Sequence, residues 1–589
     1  MESNYSERTD SIDTKLKLLE AAWKERRFEL ARALAHSVHE TAVFAEQLES
    51  DVGQSVVRSD SFRSTGNLPS PWRAWAKGWG HAKVLAVDET TSTARLGEPV
   101  EVRLAFPAEQ VVSLGREVRL AHIDQRDGTL AEVPCQVSNE VRRGNQCWCS
   151  LLFLADAPAH RREWYLVFYG NRDAELPAYP TDLRVEGEGV GLDIENSHFR
   201  ASLSRQMGQL ERLTLKREHN LELYSGGEGH GEPPGIDWAH DYVTAGNFQK
   251  MRVTNWASCP DYSVTRGPLC VTVCRWGFPH STVHPLFTPS RMHITVEYRF
   301  FAGTPYFLKQ GTMEMIQDLE ITYLRDDEWV FSGYSFTDSV WMGSDGKLRV
   351  GEVEKSLEND LWAVGFFNRQ SRDAFIALRL EHRAEKFDGL KHSGAPILNY
   401  QLHGQLWSRW AASGNPKFQK GAILYQKNAY STLPFLEKGG AEMIESLRYR
   451  LLNPLTVSEG ELPASLRASA PEGRLGRPGE CGDSPISKTD IWAALKECKD
   501  DQLYTVDANV VDMGYIYDVR VRGDRIHVVM TMPHRGRPKY GFIGNPIRKR
   551  LLQLRGVRDV IIEGAWDPPW SVNRLTEAGI RALGIPAAS

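Results

Sequence analysis

The sequence predicts a multidomain, mainly β protein, with an N-terminal helix, antiparallel β-sandwiches and a small α/β (α+β) domain at the C-terminal end. Three observations predict this. The chain has 589 residues, too many for one hydrophobic core and enough for about two to four units. From residue 80 to residue 455 the hydrophobic period is two. Beyond a stretch rich in Ser, Pro and Gly at 456–486, strand-like and helix-like patterns alternate.

The elements follow in chain order. Residues 13–50 carry Leu16, Leu19, Trp23, Leu30, Leu34 and Val38 at helical spacing, with Lys24, Glu25, Arg32 and His36 between them, so an amphipathic helix is expected. Its apolar stripe suits docking on the body or on a second copy of the chain. Residues 51–72, rich in Ser, Arg, Gly and Pro, read as a connector. In Met292–Phe300, residues Met292, Ile294, Val296, Tyr298 and Phe300 share one face, while His293, Thr295, Glu297 and Arg299 share the other. That is a half-buried strand of an antiparallel sheet. Similar runs occupy 100–106, 148–153, 165–169, 269–275 and 375–380, with turn signals such as Gly170-Asn171 and Asp345-Gly346 between them. A break near Pro177 and Pro180 separates an expected small sandwich at 80–178 from a large one at 180–455.

The stretch 456–486 reads as a linker. After it, Ser487 or Thr489 can cap a helix carrying Ile491, Ala494, Leu495 and Cys498. A hairpin is expected from Tyr517–Arg522 through Gly523-Asp524 into Ile526–Met532. Asn545-Pro546 is read as the start of a second helix with Ile547, Leu551 and Leu554 inward, since Pro is tolerated in a first turn. Val557–Glu563 is the next strand, and 487–589 forms one domain.

Composition narrows the function classes. The chain is 41% hydrophobic and 25% charged with a net charge of -5, which is ordinary for a globular protein and lacks the basic field of a nucleic-acid binder. The 17 Trp residues serve either β cores or stacking on sugars. Residues 1–13 are polar, without a secretory signal, and no apolar run is long enough to span a bilayer. Eight Cys in a chain of this size make no disulfide framework, so a reducing, cytoplasmic setting is expected.

The run Asn509-Val510-Val511-Asp512-Met513-Gly514-Tyr515-Ile516-Tyr517-Asp518-Val519, and later Trp566-Asp567-Pro568-Pro569-Trp570, carry a resemblance. In this order and on these elements they resemble the two signatures of the PaaD/SufT family of metal–sulfur cluster assembly proteins. The resemblance covers residues 485–585 and implies iron or iron–sulfur chemistry. Members that handle iron usually place a Cys in a Gly-Cys-Pro turn near the second helix, where a helix end favours the thiolate. Here Pro533-His534-Arg535-Gly536-Arg537-Pro538 puts Arg537 at that position, and an alignment on Gly544-Asn545-Pro546 puts Asn545 there. Either way the thiolate is missing, which disfavours an Fe–S or iron cofactor. Arg535, Arg537, Lys539, Arg548 and Lys549 instead suit an anion or an acidic partner, or form a solvated basic face.

The stretch 190–203 with Gly208-Gln209-Leu210-Glu211-Arg212-Leu213 resembles the opening of galactose-mutarotase-like sandwiches of polysaccharide lyases and glycosidases. The earlier Pro134 and 165–171 resemble the small sandwich that precedes them in rhamnogalacturonan-lyase-like proteins. The resemblance implies a carbohydrate ligand.

The richest polar stretch is 228–262. It holds Asp237, His240, Asp241, Tyr242, Lys250 and Arg252, interleaved with Trp238 and Trp256. A lyase acting on a uronate needs a base for the proton α to the carboxylate and a cation for the enolate that develops. His240 or Tyr242 suits the base, Lys250 or Arg252 the cation, and Trp238 a stacking face, unless the stretch is only a polar loop. Arg325-Asp326-Asp327-Glu328 reads as a charged turn or a paired-carboxylate site. His280 with His284, and the pairs Cys147/Cys149 and Cys270/Cys274, lack the further ligands of a metal site. No metal ligand is assigned.

Three functions are therefore open. One is an accessory protein whose body binds a partner or glycan-like ligand and whose C-terminal domain docks on a metalloenzyme or assembly factor. Another is a carbohydrate-active lyase or epimerase. The third is iron–sulfur assembly itself.

Overall fold

The computed structural model describes residues 63–589 apart from 206, 218–220, 225–240, 245–249, 252–260, 278–291, 326–327, 333–335, 354–360, 390, 401–402, 434–438, 464, 467–486, 500–507, 523–524, 532–538, 555, 558, 565–569, 572–573 and 584–589, together with 16–17, 19–21, 23–25 and 56–57. The chain divides into two compact units. One is Met1–Thr181 with Thr265–Thr272 and Ser446–Glu480; the other is Asp182–Val264 with Val273–Glu445 and Cys481–Ser589.

In the first unit two sheets face each other across one core. One sheet has the order Val56–Val57, Arg95–Pro107, Gln146–Ala157, Cys135–Arg143. The other runs Arg63–Ser64, His81–Asp88, Arg162–Tyr169, Arg119–Ile123, Leu130–Val133, with Thr456–Glu459 paired to His81–Asp88. Leu85, Val102, Phe106, Leu120, Leu151 and Val167 fill the space between. The outer face of the second sheet is also covered: Trp72 and Trp75 of helix Ser70–Trp75 lie on Ala82, Val84, Leu166 and Phe168. His81–Asp88 is consequently buried on both faces, and its apolar residues do not alternate with polar ones.

The strand Thr456–Glu459 corrects the expected linker. Its residues pair with Leu85–Asp88, and Leu462 and Leu466 are buried beyond it. Of the expected linker, residue 464 and residues 467–486 lie outside the described residues.

In the second unit a meander runs from Arg184–Glu188 through Gly191–Glu195, Phe199–Leu203 and Leu210–Leu215 to Leu221–Tyr224. A nine-stranded sheet holds, as consecutive neighbours, Met292–Phe301, Tyr306–Met315, Ile423–Ser431, Ala374–Glu385 and Ala363–Phe367. The alternation read from Met292–Phe300 is present: Met292, Ile294, Val296, Tyr298 and Phe300 are all buried, and the other expected strands 100–106, 148–153, 165–169 and 375–380 each fall inside an observed strand.

The C-terminal residues build their own core. Helix Lys488–Lys496 is followed by strands Ile516–Arg522 and Arg525–Met530, helix Lys539–Leu551, strand Asp559–Gly564 and helix Glu577–Ala582. Ser487 is the N-cap, its Oγ accepting from Thr489 N at 3.1 Å. Ile491, Leu495, Val510, Ile526, Val528, Ile547, Leu551 and Val560 form one cluster. Arg525–Met530 and Asp559–Gly564 are parallel, so the helix between them is the crossover that a parallel pair requires. In the first unit, the parallel pairing of Val56–Val57 with Arg103–Leu104 departs from the antiparallel sandwich expected there.

Helix Lys539–Leu551 also corrects the reading of Asn545-Pro546 as a helix start, because Pro546 lies inside it. Ile543, Ile547 and Leu551 recur every four residues and are all buried. That stripe runs through the proline, and its burial outweighs the backbone hydrogen bond that Pro546 lacks. Of the N-terminal helix, described residues between 16 and 24 are helical, with Lys24 bound to Glu20 at 2.5 Å and Trp23 exposed.

Candidate functional site

The first signature of the C-terminal module folds into a tight loop. Asn509 Oδ1 accepts from Val511 N and Asp512 N at 3.0 and 2.9 Å, and Asn509 Nδ2 donates to Asp512 Oδ2 at 2.5 Å. The backbone then turns through Met513 N to Asn509 O and Tyr515 N to Val510 O. Short polar side chains favour such local bonding over helix or sheet. Gly514 sits at φ +65°, where a Cβ would lie 2.3 Å from the carbonyl oxygen of Arg574, so only glycine fits.

The last residue of the second signature, and Arg574 and Thr576 beyond it, reach this loop. Trp570 Nε1 donates to Met513 O at 2.9 Å. Thr576 donates through N to Asp512 O at 3.1 Å and through Oγ1 to Asp512 Oδ1 at 2.8 Å. Thr576 also caps helix Glu577–Ala582. The Arg574 guanidinium stacks over Tyr517 at 3.8 Å. Each observed partner of the two signatures is thus another part of the same module, which makes their first role to hold its fold. Beneath the loop, Thr531 N donates to Tyr515 O at 2.7 Å. Its buried Oγ1 has no hydrogen-bond partner among the described residues.

Asn545 lies inside the helix Lys539–Leu551 and not at its start. Arg535 and Arg537 lie outside the described residues. Cys498 offers no substitute. It is buried, its Sγ donates to Ala494 O at 3.5 Å, and burial pushes its thiol pKa up. Cys481 lies outside the described residues. Among the described residues no three His, Cys, Asp or Glu side chains come together in a way that could hold a metal ion.

Of the basic positions, Lys539 opens the second helix and Arg548 is exposed in its last turn. Arg548 Nη2 is 3.6 Å from Asp559 Oδ1. Arg550, which sequence reasoning did not single out, meets Glu497 with Nε at 2.7 Å and Nη2 at 3.1 Å. Lys549 is exposed between them and forms no ion pair among the described residues. Three consecutive cations at a helix C-terminus are favoured by its dipole.

In the β body, Asp237, Trp238, His240, Arg252 and Trp256 lie outside the described residues, as do His280 and His284. Asp241 and Tyr242 belong to strand Asp241–Thr244, and Lys250 to Lys250–Met251. These two strands pair with Tyr242 opposite Met251 and Val243 opposite Lys250. Asp241 in turn pairs with Arg325, so the two polar stretches noted in the sequence meet at one sheet position. Cys135, Cys147 and Cys149 are buried thiols, whose pKa values burial pushes up.

The structure adds a polar layer that sequence reasoning missed. Across four neighbouring strands of the nine-stranded sheet the register aligns Tyr298, Lys309, Asn428 and Arg379, and next to them Val296, Gly311, Gln426 and His382. Lys309, Asn428, Arg379 and Gln426 are all buried. Asn428 Oδ1 and His382 Nε2 are 3.0 Å apart, Arg379 Nη1 donates to Leu361 O at 2.8 Å, and the Arg275 guanidinium lies over Tyr298 at 5.5 Å. On one side of this layer lies an aromatic row containing Phe300, Phe307 and Tyr430, with rings about 5 Å apart. The signal was present in Leu424-Tyr425-Gln426-Lys427-Asn428-Ala429-Tyr430, where Gln426 and Asn428 occupy the inward positions of a period-two strand.

Residues 488–563 match the family described as iron–sulfur cluster assembly protein. The Fe-S protein maturation auxiliary factor YitW of Bacillus subtilis (strain 168) is 31% identical over 99 residues, which make up 17% of this chain and 94% of that protein. Among solved structures, a protein in the glycosyl hydrolase family 38 from Enterococcus faecalis aligns with 74% of this chain at 12% identity and a TM-score of 0.40; the alignment spans about half of that protein, 52%. A galactose mutarotase-like protein from Lactobacillus casei aligns with 42% of this chain and 99% of its own length, at 11% identity and a TM-score of 0.26. Both structural likenesses are distant and say nothing about activity. The match over 488–563 and the near full-length relative cover the same loop, hairpin and crossover helix described above, and through this module the chain belongs to the iron–sulfur cluster assembly protein family.

Proposed function

We propose that the protein is an accessory factor in the maturation of metal–sulfur enzymes, acting as an adaptor and not as the carrier of a cluster. What supports this most is the sequence Gly536-Arg537-Pro538 just before the helix Lys539–Leu551, since members of the family that handle iron usually place a Cys in a Gly-Cys-Pro turn near that helix. A guanidinium cannot be deprotonated to ligate iron, yet it pairs well with carboxylates. On this reading the module docks through Arg535, Arg537, Lys539, Arg548 and Lys549 on an acidic surface of a metalloenzyme or assembly factor. The β body holds a second partner or a polar, glycan-like ligand, for which the layer of Lys309, Asn428, Arg379 and His382 supplies hydrogen-bonding groups. The N-terminal helix serves docking or self-association, and the setting is the reducing cytoplasm.

Anaerobic reconstitution with iron and sulfide tests the adaptor reading. Wild type is expected to emerge without a cluster chromophore, and a chromophore in wild type, lost in Cys498→Ser or Cys481→Ser, would show that the chain ligates a cluster after all.

A second reading is a carbohydrate-active lyase or epimerase, favoured by the register that sets Asp241 against Arg325 within a stretch holding His240, Tyr242, Lys250 and Arg252. It predicts unsaturated products, seen by ultraviolet absorbance, from a panel of uronate oligosaccharides, with loss in His240→Ala and Tyr242→Phe. A silent wild type across the panel removes this reading.

A further inference from the structure

The last turn of helix Lys539–Leu551 is already partly occupied by acids of the same module. Arg550 is held in a two-point clasp by Glu497, the C-cap residue of helix Lys488–Lys496, at 2.7 and 3.1 Å. Arg548 is held more loosely by Asp559, the first residue of strand Asp559–Gly564, at 3.6 Å. Lys549 between them is exposed and forms no ion pair among the described residues. Both acids reach their cations from separate elements, and both stay in solvent contact: the Glu497 side chain is 60% exposed and that of Asp559 is 39% exposed. Exposed pairs of this kind are weak and exchange with competing ions. The geometry of the clasp is that of a guanidinium–carboxylate fork, the same contact an incoming glutamate or aspartate would make.

We infer that Glu497 and Asp559 are internal placeholders on an acidic-peptide docking site, displaced when a carboxylate-rich segment of a partner protein binds Arg548, Lys549 and Arg550. The inference rests on the proposal that the module docks on an acidic surface, and it adds a built-in restraint on that docking. The placeholders lower affinity for weakly acidic surfaces, because a competitor must supply several carboxylates at once to replace both. The tighter clasp at Arg550 makes Glu497 the stronger restraint. The Glu497 carboxyl is held below the usual range by its hydrogen bond to Arg550, consistent with a fully ionised placeholder at neutral pH.

The test measures binding of a fluorescently labelled polyglutamate peptide to the full chain by anisotropy at low ionic strength. Glu497→Gln keeps the size and the cap backbone but removes the charge, and it is expected to tighten binding by about threefold, the scale of an exposed ion pair. Asp559→Asn is expected to tighten it less. Lys549→Glu, which touches neither clasp, is expected to weaken it. If Lys549→Glu weakens binding while Glu497→Gln leaves it unchanged or weaker, the placeholder idea is overturned and acidic docking stands. If Lys549→Glu changes nothing, docking by this helix and the inference with it are both overturned. Equal tightening of Glu497→Gln toward a single-stranded oligonucleotide overturns the assignment to an acidic protein segment.

Discussion

Gly514→Ala probes how the two signatures of the module depend on each other. Gly514 has a φ of +65°, and a Cβ there would sit 2.3 Å from Arg574 O and 2.6 Å from Arg574 C. The left-handed conformation costs a residue with a Cβ about 1–2 kcal/mol. The contact cannot be relieved by a rotamer change, since the atoms met are backbone. The chain around Arg574 must therefore lift, giving up Trp570 Nε1 to Met513 O and Thr576 Oγ1 to Asp512 Oδ1, about 1 kcal/mol each. The sum is about 3–4 kcal/mol, equivalent to two to three orders of magnitude in a local opening constant. Hydrogen exchange of the full chain, read by mass spectrometry on peptides covering 509–531 and 570–583, should show both peptides losing protection together by that factor, while peptides of the first unit are unchanged. Exchange in Gly514→Ala within about threefold of wild type would refute the argument that the loop and the C-terminal segment hold one another.

Other expectations are smaller or lie elsewhere. Ser487→Ala removes the oxygen that accepts from Thr489 N and should lower the stability of the module by about 1 kcal/mol, seen as faster exchange in helix Lys488–Lys496. In the first unit Arg95 is buried, with Nη2 3.3 Å from Glu89 Oε1 and Nη1 3.5 Å from Glu98 Oε1, and it donates to Asn453 O at 2.7 Å. Arg95→Met leaves both acids buried without it, and denaturant titration should show a loss of about 3–5 kcal/mol. Burial pushes the Glu89 carboxyl up, but hydrogen bonds from Thr91 and His160 and the charge of Arg95 outweigh it and hold its pKa below the ordinary 4.5. A depressed folded pKa means that this carboxylate stabilises the unit above pH 4.5 and that the contribution disappears as pH falls further. Acid unfolding of the first unit should therefore start below pH 4.5 in wild type and at higher pH in Arg95→Met, followed by circular dichroism. Burial pushes the Cys135 thiol up to about 12, so iodoacetamide should leave it unmodified in the native chain and alkylate it only after denaturation.

Local pattern carried much of this fold. Met292–Phe300 shows its strand and its buried face in the sequence, because Met292, Ile294, Val296, Tyr298 and Phe300 all enter the core while Thr295, Glu297 and Arg299 opposite them are only partly buried. The Ser487 cap and the 516–530 hairpin were equally visible, being set by neighbours in sequence. Features that depend on distant chain were not. Thr456–Glu459 looks like linker because nothing nearby reveals that it pairs with residues 85–88, more than 350 positions away in sequence. Pro546 suggested a helix start, a preference that applies only where no upstream stripe continues the helix; Ile543 supplies one. The layer of Tyr298, Lys309, Asn428 and Arg379 belongs to four strands and comes together only when the register aligns them. At 228–262 polar residues were evident from composition, yet their chemistry rests on contacts that spacing does not define. For the missing thiolate, the sequence left Arg537 and Asn545 both open; Asn545 lies inside the crossover helix, and Arg537 lies outside the described residues.

The adaptor reading depends on a module that keeps the family's scaffold yet has no Cys after Cys498. Elemental analysis of the full chain purified under strict exclusion of oxygen tests this most directly. The account predicts iron and acid-labile sulfide at background; iron bound in stoichiometric amount, retained through gel filtration and lost when 487–589 is deleted, would contradict it.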